Sequence, residues 1–158
     1  REAADLYREA RNAPNGCADT TAWALERIPP VPALEALQRD VAAVGTAPPD
    51  LKQNRVFVAL LADSFPATRG AAGVATEALL HDLRDGGYCP AAVAQGLRDV
   101  RKAAKFAPAI SEVLDAVEKA QSNLKSMPNY LGLMIRERAD LDRRAQRQTE
   151  QARISPPD

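Results

Sequence analysis

The sequence is poor in the residue types that most often build catalytic or metal sites. Aromatic residues make up 4% of the 158 residues, histidine occurs once and cysteine twice. One histidine excludes a multi-histidine metal site within a single chain, and Cys17 and Cys89 do not have the spacing of metal ligands. We therefore expect no metal, no cofactor and no catalytic residue.

Glycine and acidic residues also lack catalytic spacing. The glycines at 70, 73, 86 and 87 do not form a phosphate-binding loop. Carboxylates three residues apart occur at Asp82/Asp85 and at Glu112/Asp115, but such pairs are common on exposed helical faces. We predict that the protein is not an enzyme.

The chain has no excess of charge of either sign and no long hydrophobic run. Its 21 basic and 21 acidic residues give a net charge of zero, so binding of nucleic acid or anionic lipid needs a local patch. No apolar run approaches the ~18 residues of a membrane span. Because two distant cysteines are typical of reduced thiols, we expect a cytoplasmic protein without membrane contact.

The residues that are abundant predict helices. Hydrophobic residues make up 46% of the chain and are mainly Ala, Leu and Val, whereas strands favour β-branched and aromatic residues. We predict an all-α protein, a single-domain irregular bundle of about six or seven helices with a long C-terminal helix. Its predicted parts are a helical core domain at 1–127, a C-terminal helix at 128–153 that can project, and a disordered tail at 154–158.

The first half of the chain contains four predicted helices. We place them at 2–12, 20–28, 33–44 and 51–65, separated by turn residues and prolines at 12–16, 29–30 and 48–49. Asp19 or Thr20 is expected to cap the second helix, and Trp23 to anchor the core. Asp50 and Gln53 have the spacing of a capping box. The helix at 51–65 is apolar around most of its circumference and is expected to be central and buried, with a buried strand at 56–62 as the alternative.

The second half is divided by glycine and proline. A helix ending near Asp85 is expected to bury Leu79 and Leu83 and to expose His81, with Gly86 and Gly87 as its left-handed stop. Pro90 suits the first turn of the next helix, which extends to residue 104. Phe106 is predicted to fill a gap in the core, Pro108 to open another helix, and the segment 127–129 to interrupt it.

Basic residues on the helix that follows Pro90 are the best candidates for nucleic-acid binding. They lie at i, i+3, i+4 and i+7 and are predicted to share one face: Arg98, Arg101, Lys102 and Lys105. Such a face can contact phosphates, and it is also typical of the solvated side of an amphipathic helix. Both interpretations remain open at this point.

A second candidate surface lies near the C-terminus. An apolar stripe with one arginine is predicted to bind a protein partner: Leu131, Met134, Ile135, Arg138 and Leu141. Beyond it the sequence becomes almost wholly polar, which is typical of a projecting or partner-dependent helix.

The central forty or so residues, 78–117, resemble a helical module of phage and prophage replication proteins of the helicase-loader type. The shared features are a leucine-rich helix, a Gly/Tyr/Pro turn, an amphipathic helix with basic residues, and a Lys-Phe-x-Pro break before another helix. The matching positions are Leu79, Leu83, Tyr88, Pro90, Val93, Leu97, Lys105, Phe106, Pro108, Glu112 and Val113. The resemblance implies an adaptor without catalysis that binds a replicative ring helicase or a replication initiator.

Two other classes of function are kept open. One is a helical regulator or inhibitor that docks on a single protein target through the stripe at 131–141. The other is a DNA-binding regulator that contacts phosphates through the basic residues at 98–105. The latter helix lacks the Asn, Gln, Ser and Thr side chains that usually accompany base reading.

Overall fold

The computed structural model describes residues 18–65 and 72–154, with side chains for 21–65 and 76–154. Six helices occupy these residues: α1 (Ala18–Arg27), α2 (Val31–Gly45), α3 (Leu51–Asp63), α4 (Ala72–Asp85), α5 (Pro90–Ala103) and α6 (Ile110–Ile154). Within the described ranges there is no strand, so the predicted all-α class with a long C-terminal helix is confirmed. The predicted helix at 2–12, the turn at 12–16 and residues 155–158 of the predicted tail lie outside the described residues.

The described chain falls into two compact units. Residues 18–39 and 129–154 belong to one unit, and residues 40–128 belong to the other. We call them the terminal unit and the central unit. Both α2 and α6 contribute residues to each unit, whereas the sequence predicted a core domain at 1–127 and a separate helix after it.

The core of the central unit is formed by aliphatic side chains from α3, α4, α5 and the first part of α6. Its buried members are Val58, Leu61, Leu79, Leu83, Val93, Leu97, Val100, Val113 and Val117. The members from α4 and α5 lie on the helical faces that the sequence pattern predicted, and His81 is exposed as expected.

Helix α3 is not the central buried helix that its composition predicted. Asn54, Val58 and Leu61 are buried, but Val56 is 57% exposed and Leu60 is 51% exposed. The three buried residues lie on one face of α3. This helix therefore contributes one face to the core and leaves its other apolar side chains at the surface. The alternative of a buried strand at 56–62 is wrong, because these residues are helical.

Local signals set several helix ends. Asp50 caps α3, because its carboxylate accepts hydrogen bonds from the backbone N–H of Lys52 at 2.9 Å and of Gln53 at 3.1 Å. Gly87 has φ of +63°, the left-handed conformation that ends a helix, and Pro90 is in the first turn of α5 as predicted. Helix α1 (Ala18–Arg27) includes Asp19 and Thr20, one of which the sequence had placed as the cap before its first turn.

A buried amide joins three segments of the central unit. The side chain of Gln121 on α6 accepts a hydrogen bond from the Cys89 N–H at 3.0 Å and donates one to the Gly45 carbonyl at 3.1 Å. These partners lie at the start of α5 and at the end of α2, where backbone groups lack partners within their own helix. Gln121 therefore satisfies polar groups at two helix ends that would otherwise be buried without hydrogen bonds.

Three predictions about the second half of the chain need correction. Phe106 is 83% exposed and fills no gap in the core. Helix α6 begins at Ile110, two residues after Pro108, and the Glu112 carboxylate accepts a hydrogen bond from the Ala109 N–H at 2.9 Å. Pro128 does not interrupt α6, which continues through it. The φ of proline is compatible with a helix, but an interior proline loses one hydrogen bond and its ring crowds the carbonyl four residues earlier, so continuation through Pro128 has an energetic cost.

The terminal unit has a smaller core. Its buried apolar residues are Ala24, Ile28, Leu34, Leu131, Met134 and Leu141. Trp23 is only half-buried, and the Arg27 guanidinium lies 4.5 Å from the centre of its ring, so it is not the core anchor that the sequence predicted.

Candidate binding site

The predicted basic face is present on α5 with three cations instead of four. Arg98, Arg101 and Lys102 are exposed, and their i, i+3 and i+4 spacing places them side by side. Lys105 lies beyond the end of α5 at Ala103, and Ala104 has an extended backbone with ψ of 130°, so helical spacing does not place Lys105 on this face.

These three cations form no ion pair within the described part of the chain. The ion pairs found there involve His81, Arg84, Arg138 and Arg143. The neighbouring carboxylate of Asp99 accepts a hydrogen bond from the Gln95 amide at 2.8 Å. The partial negative charge at the end of α5 favours cations in its last turn, which accounts for Arg101 and Lys102 but not for Arg98.

An apolar groove in the central unit lies beside two of these arginines. It has a volume of about 190 Å³ and is lined by Phe57, Leu60 and Leu61 of α3 and by Ala94, Leu97, Arg98 and Arg101 of α5. Leu61 and Leu97 are buried, whereas Leu60 is 51% exposed. We call this feature the α3–α5 groove.

The sequence spacing explains how two helices form the groove. On α3 the lining residues lie at i, i+3 and i+4, and on α5 they lie at i, i+3, i+4 and i+7, so each set follows one side of its helix. Ala94 has the smallest side chain in the lining and leaves space that a leucine or phenylalanine would fill. The sequence pattern indicates both arginines but not the groove, because the composition of α3 predicted a helix buried around most of its circumference.

The sequence pattern also did not identify a buried polar side chain on α3. Asn54 is fully buried, and neither its amide nitrogen nor its amide oxygen has a hydrogen-bond partner in the described structure. It lies at i relative to Val58 at i+4 and Leu61 at i+7, so it occupies the buried face of the helix. An asparagine in an apolar stripe is the sequence signal that could have identified it. Asn54 does not line the α3–α5 groove.

The stripe predicted to bind a partner is used for packing within the terminal unit. Leu131, Met134, Arg138 and Leu141 are buried there, and Ile135 is half-buried. The Arg138 guanidinium donates hydrogen bonds to the carbonyl of Leu25 at 2.9 Å and to the carbonyl of Ile28, and its Nε lies 3.2 Å from the Asp142 carboxylate. The structure thus brings these five residues together, but as part of this chain's own core.

The remaining candidate groups form no catalytic arrangement that the structure describes. His81 is exposed and lies 3.4 Å from the Asp85 carboxylate. In the described ranges, no three His, Cys, Asp or Glu side chains are grouped to hold a metal ion. Burial of the Tyr88 hydroxyl raises its pKa above the ordinary value of 10.0, and the nearby carboxylates of Glu118 and Asp115 raise it further.

The fold and the groove define this chain as an all-α protein with an exposed two-helix groove. Among the described helices, none combines the length and hydrophobicity needed to cross a membrane. Comparisons with protein families, with characterised proteins and with solved structures found no match to this chain.

Proposed function

We propose that this chain is a non-enzymatic adaptor that binds another protein through the α3–α5 groove. The observation that carries the proposal is an apolar groove beside two arginines that have no carboxylate partner in the described structure. A concave apolar surface bordered by a few polar groups is one form that binding sites take. Arginine is also among the residues most enriched in the centres of protein interfaces.

A more specific form of the proposal is an adaptor for replication in the cytoplasm. Its support is the resemblance of residues 78–117 to helicase-loader-type replication proteins of phages. These residues belong to the central unit and include the α5 side of the groove. In this form of the proposal the partner is a replicative ring helicase.

The test measures binding of a purified replicative helicase to the immobilised protein. We expect Leu60→Arg to weaken helicase binding by about tenfold or more, because it places a charge in the apolar lining of the groove. We expect a similar loss for Arg98→Ala/Arg101→Ala, because it removes the two cations beside the groove. Arg136→Ala/Arg144→Ala removes two exposed arginines of α6 outside the groove and serves as the matched control. Helicase binding that all three variants retain would contradict a role for the groove, and no helicase binding would contradict the replication form.

The second candidate function is phosphate contact with DNA, which is favoured by three exposed cations on α5 that form no ion pair with any described residue. Fluorescence anisotropy with single-stranded and duplex probes tests it at low and moderate salt. Three phosphate contacts predict a slope of about −2.7 in the logarithm of the duplex binding constant against the logarithm of salt. Salt-sensitive binding that Arg98→Ala/Arg101→Ala/Lys102→Ala loses would identify a nucleic-acid face and contradict the protein-binding role of these arginines.

A further inference from the structure

The chemistry of the α3–α5 groove restricts what can occupy it. Resting on the proposed function, we infer that the occupant is an acidic amphipathic helix of a partner protein. One large aliphatic side chain of that helix enters the groove, and two carboxylates pair with Arg98 and Arg101.

The apolar part of the inference follows from the size and lining of the groove. Its volume of about 190 Å³ exceeds the ~150 Å³ of an apolar protein cavity that takes up benzene. Five of its seven lining residues are apolar, and buried Leu61 and Leu97 contribute to its surface. A leucine-sized side chain therefore finds both the space and an apolar surround.

The acidic part follows from the charge at the groove. Among the described residues that line it, Arg98 and Arg101 are the charged ones and none carries a carboxylate. A guanidinium binds a carboxylate through two parallel hydrogen bonds, which gives both strength and orientation. The two arginines are three positions apart on α5, so their spacing along the helix matches carboxylates at i and i+3 or i+4 of a second helix.

A helical partner fits this groove better than nucleic acid does. A phosphate backbone pairs with arginines but has no aliphatic group that could fill the space between Leu60 and Ala94. The apolar lining would then face polar sugar and phosphate groups. An amphipathic helix supplies an apolar anchor and charged neighbours one turn away, as in other helix-in-groove complexes. The apolar lining and the arginines are then used by the same ligand.

Selection from a displayed library of helix-favouring peptides of about 16 residues tests the inference without a known partner. The full chain is the target, and Ala94→Trp, which fills the groove, is used for counter-selection. Circular dichroism and the urea midpoint establish that the Ala94→Trp variant folds. Leu60→Ala, at an exposed position of the groove lining, is a milder second variant for the same counter-selection. We expect enriched peptides to share a large aliphatic residue and two acidic residues at i, i+3 or i+4.

Charge reversal provides the decisive comparison for a selected peptide. Arg98→Glu/Arg101→Glu should weaken the binding of the selected peptide by roughly thirtyfold. When the two acidic residues of the peptide are replaced with lysine, its affinity for this charge-reversed variant should rise by at least about tenfold. Arg136→Glu/Arg144→Glu is the matched control and should leave binding unchanged.

The outcomes separate this inference from the proposed function. Groove-dependent peptides without acidic residues, or peptides insensitive to the charge reversal, would overturn the acidic-helix inference and leave the protein-binding groove intact. Peptides that bind the Ala94→Trp variant as tightly as the unaltered protein, or no enrichment at all, would overturn both.

Discussion

Gly96 on α5 lies directly against the backbone of α6 at Val117. A Cβ atom built there would lie 2.6 Å from the Cα of Val117 and 2.7 Å from its backbone nitrogen. Alanine normally stabilises a helix interior relative to glycine by about 1 kcal/mol, but backbone atoms cannot yield as a flexible side chain can. We expect Gly96→Ala to lower the free energy of unfolding by roughly 1–3 kcal/mol, measured by urea denaturation.

Gly45→Ala is the control for this prediction. Its Cβ would meet Leu124 no closer than 3.6 Å, which is ordinary van der Waals contact. The unfolding free energy should change by less than about 1 kcal/mol. Equal losses in the two variants would show that close approach at Gly96 is not the cause.

Tyr88 predicts how stability depends on alkaline pH. Its folded-state pKa is raised by burial and then by Glu118 and Asp115, so in the unfolded chain it ionises first, near its ordinary pKa of 10.0. The folded protein binds more protons above that pH, and stability therefore falls as pH rises from about 10 through the raised pKa. Urea unfolding between about pH 9 and pH 11.5 should show a shallower loss for Tyr88→Phe than for the unaltered protein. Identical slopes in Tyr88→Phe and the unaltered protein would contradict the assignment.

At the scale of elements, Arg138 completes the end of α1. Its guanidinium satisfies the carbonyls of Leu25 and Ile28, which lie at the C-terminal end of that helix. We expect Arg138→Met to lower the unfolding free energy by about 1.5–3 kcal/mol, because hydrogen bonds to a charged group are lost. Arg136→Met, at an exposed neighbour on α6, should have almost no effect in the same urea titration. A loss at 138 no larger than at 136 would mean that solvent replaces these hydrogen bonds.

Helix α6 offers a test of its internal proline. Pro128 lacks the N–H that a helix uses for the bond to residue 124, and its ring crowds that carbonyl. We expect Pro128→Ala to raise the unfolding free energy by about 1–3 kcal/mol, with increased helical circular dichroism. Ser126→Ala, at an exposed position one half-turn away, is the comparison for a change without proline. A lower stability of Pro128→Ala would show that the packing around α6 depends on the local geometry of the proline.

At the scale of the whole molecule, the balance of charge predicts solution behaviour. The 21 basic and 21 acidic residues leave no net repulsion between copies at pH 7. Replacing exposed Gln146 and Gln148 with glutamate gives 23 acidic residues against 21 basic ones. We expect this variant to need a higher polyethylene glycol concentration for precipitation at pH 7. Replacement of the same two residues with asparagine is the uncharged control, and equal precipitation of both variants would contradict the charge explanation.

Features that depend on neighbouring residues could be read from the sequence. Asp50 predicted the start of α3, and Gly87 and Pro90 predicted the break between α4 and α5. The apolar faces of these latter two helices were also correct, because helical periodicity is a property of residues three and four positions apart. Composition and periodicity together were enough to determine the all-α class.

Features that depend on distant residues were decided only by the tertiary structure. The sequence shows that α3 is apolar on most sides, but which side is covered depends on the helices that pack against it. The same reason explains the exposure of Phe106, the burial of Arg138 beside residues 25 and 28, and the contact of Gln121 with Gly45. The two arginines of the candidate site could be identified from α5 alone. The groove beside them could not, because it exists only where residues 57–61 and 94–101 meet.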